Sequence, residues 1–504
     1  VPPIPYDLAP PDSLFFPAEP EINAGDVQGN VIPGFAQPHQ HHIFARVTDV
    51  DAFKPALAAL LPRVPSMRGV AAARSAQAAN LQWLHVAFTH AGLSALGVPV
   101  ATADADPAFV EGMLARATTL GDTGSAAPTR WQVGAAEVHV LLVLASDDRT
   151  VLDSFVAATL AALEGAQVLH ELRGDASALS GREHFGYADG RTQPGLRGWF
   201  ITASGARRAV TGRRNARNRG EGAPGQLLAA PDLVLTGLAP GASSWLRNGS
   251  YLVARVLQQH VGAMHAFVRD AANQLQVAPA LVASRLLGRW PGGAPVLRAN
   301  HDDIGLGTSP CEYNDFRYRQ PSRPLHAPMT PNDCGPGAAP PALGDPEGLR
   351  CPFSAHIRKA NPRDDTGRSP STGATLSREK NLGRVILRRS VPYGPLSGST
   401  FDAPIADAPG VERGLMFLCY QASIERQFEF IQRGMMMDPD APRSGSGQDA
   451  LLGRPQPGAP RALSLGVLPD GRAARCTVPD AWVTTRGGGY FFAPSLSALA
   501  DMTR

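Results

Sequence analysis

Cys351-Pro352-Phe353-Ser354-Ala355-His356-Ile357-Arg358-Lys359-Ala360-Asn361-Pro362-Arg363-Asp364 sets a single histidine after a short apolar run, with spaced cations and a proline behind it. Neutral imidazole is a common nitrogen ligand for iron. Arg358, Lys359 and Arg363 would suit a dianionic porphyrin, whose propionates need neutralising. Taken alone, the stretch reads better as an ordinary surface or core histidine, because no motif makes one His diagnostic. A second stretch, Phe185-Gly186-Tyr187-Ala188-Asp189-Gly190-Arg191-Thr192-Gln193-Pro194-Gly195, holds an Asp on a glycine-rich turn. Asp-Gly is common β-turn chemistry. The alternative is a carboxylate held on tight backbone against a closely approaching ligand.

These residues need a large scaffold. A chain of 504 residues predicts about two domains. Hydrophobic residues at 43% and charged residues at 18% describe a globular protein with ample core material. Gly 52 and Pro 46 predict long ordered loops. A net charge of +3 gives no reason to invoke nucleic acid or an anionic membrane. No apolar run reaches the ~20 residues that span a bilayer. The Val1-Pro2-Pro3 start carries no signal-peptide pattern. The expectation is therefore cytoplasmic, or secreted if a leader has been trimmed. Cys311, Cys334, Cys351, Cys419 and Cys476 show no CxxC spacing, which disfavours zinc and a full disulfide framework. One disulfide among the loop cysteines stays open.

Hydrophobic periodicity gives the element order. Residues 1–24 read as a Pro-rich arm and Asp26–Phe35 as a turn-rich connector. His41–Val47 is a strand and Val50–Leu61 a helix. Leu84–Phe88 and Val138–Leu144 are strands, and Asp153 is expected to cap a helix that buries Phe155, Val156, Thr159, Leu160 and Leu163. Val168–Leu172 completes the set. His39, His41 and His42 suggest a metal site only weakly, because His41 and His42 face opposite ways on a strand.

Strand-helix-strand repeated twice is the ferredoxin-like plan, an antiparallel sheet with helices on one face. The second half repeats it more loosely. There, strands are expected at Tyr251–Leu257, Val385–Arg388, Leu415–Tyr420 and Tyr490–Ala493, and helices at His260–Asn273 and Ile424–Met435. The predicted class is α+β with two tandem ferredoxin-like domains, 1–225 and 226–504, and His356 in a long insertion of the second.

Gly186–Gly190 followed by Gln193-Pro194 resembles the signature of the dye-decolorizing peroxidases. So do Ala355-His356-Ile357-Arg358-Lys359-Ala360-Asn361-Pro362-Arg363 and Ile386-Leu387-Arg388-Arg389-Ser390-Val391-Pro392-Tyr393-Gly394. Asp26–Phe35, Val86–Thr89, Gly249–Val253, Phe417–Gln421 and Tyr490–Ser495 add to the resemblance in family order over nearly the whole chain. The chain looks like the long class that includes the fungal enzymes.

The resemblance implies a haem b, one per chain, in the second of two ferredoxin-like domains. It aligns His356 with the proximal iron ligand, Asp189 with the distal carboxylate and Arg388 with the distal arginine, Arg389 being the nearest competitor. Leu415 and Phe417 resemble the apolar pair of the distal pocket. Arg358 or Arg363 would bind a propionate, and Asp449 would accept the second imidazole N–H. Ser390 stands where some related classes carry Asn.

Hydrogen peroxide and bulky aromatic reductants such as anthraquinone dyes and phenolics are the implied partners, for a monomer or homodimer without nucleic acid or membrane. In that chemistry a carboxylate shuttles the peroxide proton, a fixed cation steadies the breaking O–O bond, and the oxidised haem takes single electrons from two reductant molecules. A typical Asp titrates near ~3.9 and His near ~6.5, so an Asp shuttle stays ionised in acid. A haem carrier or iron-releasing protein on the same fold is the competing reading. It would have no use for Asp189 with Arg388. At least one of Tyr313, Tyr318 and Trp245 is expected to pass electrons from dyes too large for the pocket.

Overall fold

The computed structural model describes residues 22–134, 137–188, 190, 193–196, 200–201, 207–208, 228–239, 241–299, 316–319, 344–365, 383–454 and 460–504. Asp189, Cys311, Tyr313 and Cys334 lie outside them, as does almost all of the expected Pro-rich arm.

In the first half, β1 (His39–Val47), β2 (Trp83–Phe88), β3 (Val140–Ser146) and β4 (Ala166–Asp175) pair antiparallel in the order β4-β1-β3-β2. Each is rich in residues that suit a pleated, buried surface, and all seven side chains of β3 are buried. Helices Val50–Leu60 and Arg149–Ala162 cover one face with Phe53, Leu57, Leu60, Leu152, Phe155 and Val156. The second of these helices begins earlier than its sequence suggests. Asp148, not Asp153, is its cap, accepting the N–H of Val151, while Asp153 lies within the helix and pairs with Arg173 at 2.9 Å.

The second half repeats the plan. Its strands are β5 (Ser250–Gln259), β6 (Leu387–Arg388) with β7 (Val391–Tyr393), β8 (Gly414–Gln421) and, after a hairpin of β9 (Arg461–Val467) and β10 (Ala473–Val478), β11 (Val483–Ala493). β6 and β7 both pair with β8 and act as one interrupted strand. The order β11-β5-β8-β6/β7 is the same permutation as in the first half.

The two sheets are not independent slabs. They join into one nine-stranded sheet that closes on itself through β8–β5, forming a barrel. The seams are thin: Phe492 with Phe88 on one side and Tyr393 with Gly174 on the other. Gly174 permits the second seam, because a Cβ there would lie 2.4 Å from Val391 Cγ1.

Inside the barrel, Phe44, Leu141, Val143, Leu252, Val256, Met416, Leu418 and Phe491 pack together. His42 and His85 lie among them, both opposite Val143 in the register, and His85 Nε2 meets the Tyr420 hydroxyl at 2.8 Å. Burial without a counter-charge pushes both imidazoles down to about 3, so they are neutral.

The outer face of the second sheet is covered by helices Val261–Leu275 and Pro279–Leu287 and by Ile424–Met436, which is wound as a π-helix. Phe428 of that π-helix reaches the sheet, with ring centroids 6.2 Å from Phe417 and 6.3 Å from Tyr490. His39, His41 and His42 lie along β1, where neighbouring side chains alternate between faces. His41 Nε2 bonds Glu171 at 2.8 Å, and among the described residues no cluster could hold a metal ion.

Candidate active site

His356 opens a short helix, His356–Ala360, whose approach is fixed by a carboxylate. Asp345 accepts the backbone N–H groups of Leu349 and Cys351 at 2.8 Å each, and so sets the turn ahead of it. The helix packs against the π-helix Ile424–Met436, which in turn packs on β5 and β8. That stacking holds His356 at a fixed height over the second sheet.

His356 Nδ1 donates to Asp449 Oδ2 at 2.9 Å. Asp449 is fully buried, and its Oδ1 accepts the N–H groups of Leu451 at 2.9 Å and Leu452 at 2.8 Å. Burial alone would raise the pKa of this carboxyl. The contact with His356 and the two backbone donors outweigh burial and hold it below the usual carboxylate value. A carboxylate on Nδ1 fixes the tautomer and leaves Nε2 with the free lone pair.

The outer face of the second sheet is set by strand parity. Met416, Leu418 and Tyr420 of β8 point into the barrel, so Leu415, Phe417 and Cys419 point outward. Register places Leu257 beside Leu415 and Arg388 beside Cys419 on that same face. Leu257, Leu415, Phe417 and Arg388 are each only half-buried, an apolar row with one cation.

Gln193 clamps the backbone of this wall. Its amide nitrogen donates to the Arg388 carbonyl at 3.0 Å, and its oxygen accepts the Arg388 N–H at 3.1 Å. Two motifs 195 positions apart are thereby brought together. Asp189 itself lies outside the described residues, but the turn before it is tied down by the N–H of Ala188 on the Pro291 carbonyl at 2.9 Å.

Two family models cover much of the chain: the DyP dimeric alpha+beta barrel domain over residues 26–177 and the Dyp-type peroxidase C-terminal domain over residues 349–448. The chain is 30% identical to a dye-decolorizing peroxidase of Mycetinis scorodonius, over 95% of this chain and 87% of that one. It is also 30% identical to one of Auricularia auricula-judae, over 98% and 89% respectively. A crystal structure of a fungal DyP-type peroxidase from Auricularia auricula-judae superposes with a TM-score of 0.76 at 28% identity, covering 96% of this chain and all of that one. The chain belongs to the DyP-type peroxidase family.

A haem fits the DyP-type site formed by these residues. The donor set is one imidazole oriented by a buried carboxylate, and the facing strands carry half-exposed apolar side chains that a flat apolar ring would cover. Arg388 and Arg389 separate cleanly. Arg389 donates to the Val31 carbonyl at 3.2 Å and packs on Gly34, where a Cβ would collide with its guanidinium, so it faces away from the pocket wall. Ser390 Oγ accepts the Leu418 N–H at 3.3 Å and fills the break between β6 and β7, which is a backbone role.

Arg358 is not placed to reach a propionate. It is fully buried, with Nε on Asp365 at 2.5 Å, Nη1 on the Cys351 carbonyl at 2.5 Å and Nη2 on the Asp345 carbonyl at 3.0 Å. Its cation steadies the approach loop. Arg363 stays half-buried, over the Phe316 ring at 3.8 Å and bonded to the Phe316 carbonyl at 2.9 Å.

Among the aromatic residues expected to pass electrons, Tyr313 lies outside the described residues. Among the described residues, the Tyr318 hydroxyl and Trp245 Nε1 are buried with no hydrogen-bond partner. Cys351 and Cys419 are buried free thiols, and Cys476 is free as well.

The clamp by Gln193 escaped the sequence reading. The residue stands in the quoted motif, but nothing local shows that its partner is the backbone of Arg388.

Proposed function

We propose that this DyP-type peroxidase binds one haem b per chain on His356 Nε2 and uses hydrogen peroxide to oxidise bulky aromatic reductants, anthraquinone dyes and phenolics among them. The observation that carries the reading is the His356–Asp449 pair at 2.9 Å, a buried carboxylate spent on orienting one partly exposed imidazole. When bound, haem supplies the iron that reduces peroxide and stores two oxidising equivalents.

The residues of the chain do the rest. Asp449 orients His356 and raises its basicity as a ligand. Asp189 takes the proton from one peroxide oxygen and delivers it to the departing one. The Arg388 guanidinium stabilises the negative charge that develops as the O–O bond breaks. Gln193 holds the Arg388 backbone in place for that task. Leu415 and Phe417 wall the distal side, admit peroxide and keep large reductants out.

Ultraviolet-visible spectroscopy of the purified protein, before and after one equivalent of peroxide, tests the reading. A Soret band that shifts with peroxide and returns on adding dye is the expected result. No Soret band would end the haem reading, and a band indifferent to peroxide would favour a haem carrier.

A further inference from the structure

Electrons from reductants too large for the pocket must cross the protein, and a tyrosine can carry one only if its phenolic proton has somewhere to go. Loss of an electron makes the phenol strongly acidic, so a nearby base decides which tyrosine is oxidised. Among the described tyrosines, Tyr318 and Tyr393 have no partner for the hydroxyl, and Tyr187 donates to the Ala283 carbonyl, which is not a base. Tyr251 accepts the N–H of Asp106. Two tyrosines face a titratable acceptor: Tyr420, 2.8 Å from His85 Nε2, and Tyr490, 2.7 Å from Glu429 Oε1.

Electrostatics separates these two. Proton transfer to His85 would create an imidazolium inside the apolar barrel with no counter-charge. Glu429 would instead become a neutral acid. Arg116 now chelates Glu429, through Nε at 2.7 Å and Nη2 at 2.5 Å. Its charge would remain answered by Glu111 at 3.0 Å and Glu425 at 3.3 Å. Glu111 and Glu425 are about half exposed, so this side of the network meets solvent. On its other side the Tyr490 ring abuts Phe428, and Phe428 abuts Phe417 on the pocket wall, an unbroken aromatic path.

We propose that Tyr490 is the redox-active tyrosine of this chain and that Glu429 is its proton acceptor. The inference rests on the peroxidase reading above. Tyr490 gives one electron to the peroxide-oxidised cofactor while its O–H bond breaks and the proton moves to Glu429 Oε1. An aromatic reductant then returns an electron, and Glu429 returns the proton. The net change is one electron from reductant to cofactor, with Tyr490 and Glu429 restored.

Freeze-quench electron paramagnetic resonance on the holoenzyme, after one equivalent of peroxide without reductant, tests this. The wild type should give a radical whose hyperfine splitting collapses when ring-deuterated tyrosine is incorporated. Tyr490→Phe should abolish that signal and Tyr318→Phe should keep it, both with a Soret band that still responds to peroxide. Glu429→Gln preserves shape but removes the base, and should lower the radical yield roughly tenfold or more. An unchanged tyrosyl signal in Tyr490→Phe, or an undiminished one in Glu429→Gln, would overturn the proposal. A wild type whose optical spectrum ignores peroxide would bring down the peroxidase reading and this inference together.

Discussion

The two sheets share one strand order and differ in what lies on their outer faces. In the first, Ile43, Leu84, Val86, Leu142 and Leu144 are buried under helices Val50–Leu60 and Arg149–Ala162. In the second, the matching face keeps Leu257, Leu415, Phe417 and Arg388 half-exposed, and a long insertion brings His356 over it. One copy of the fold is closed by its own side chains. The other leaves apolar surface partly open and carries an imidazole and a cation on the same side of the chain's second half. Topology is therefore common property, and function follows from which face is left unfilled.

The contrast breaks most sharply at His356. His356→Ala should lose the Soret band or reduce haem occupancy severely, with the fold kept, as read by absorbance and circular dichroism. Full occupancy with an unaltered spectrum would show that the second face does not hold its cofactor through this imidazole.

Asp189→Asn and Arg388→Leu should each retain haem and slow the peroxide-driven optical change by roughly 10²-fold or more. Stopped-flow absorbance measures it. Wild-type rates in both variants would remove the second face's claim to the chemistry.

Stability should sort the faces the other way. Leu142→Ala in the closed sheet should cost about 2–5 kcal/mol by denaturant titration. Leu415→Ala in the open sheet should cost under about 1.5 kcal/mol in the haem-free protein, because its side chain is already partly solvated. Equal losses would mean that the second face is packed like the first.

The barrel interior, common to both sheets, should respond to acid. His42 and His85 are held neutral, with values pushed from 6.5 to about 3. The unfolded chain therefore takes up protons on these groups before the folded one does. Above pH 6.5 the two states match, and stability falls as the pH drops from about 6.5 towards 3, by up to roughly 1.4 kcal/mol per pH unit per histidine. His42→Gln should flatten the slope of melting temperature against pH over that window. An unchanged slope would place the acid sensitivity elsewhere.

Much of this architecture is written locally. The continuous apolar run Val140–Ser146, buried on both faces, and the helical stripe of Phe155, Val156 and Thr159 follow from residue type, because a strand covered on both sides and a helix covered on one make local geometric demands. His356, Asp189, Arg388, Leu415 and Phe417 stand out by type and motif. Asp449 follows Gly447 by two residues, in the stretch Gly447-Gln448-Asp449-Ala450-Leu451.

Other features depend on contacts that no local pattern encodes. The closure of two sheets into one barrel rests on two single-pair seams, Phe492–Phe88 and Tyr393–Gly174, between strands far apart in the chain. The clamp of Gln193 on Arg388 is backbone recognition, and a backbone carries no sequence signature. Arg358 and Arg363 look alike beside His356. Only the folded approach loop, with Asp345 and Asp365 converging on one guanidinium, buries the first and leaves the second half-exposed. The pairing of Tyr490 with Glu429 is of the same kind, since a phenol acquires a proton acceptor only when a strand and a π-helix pack together. Sequence sets which side chains can do chemistry, and packing decides which of them meet.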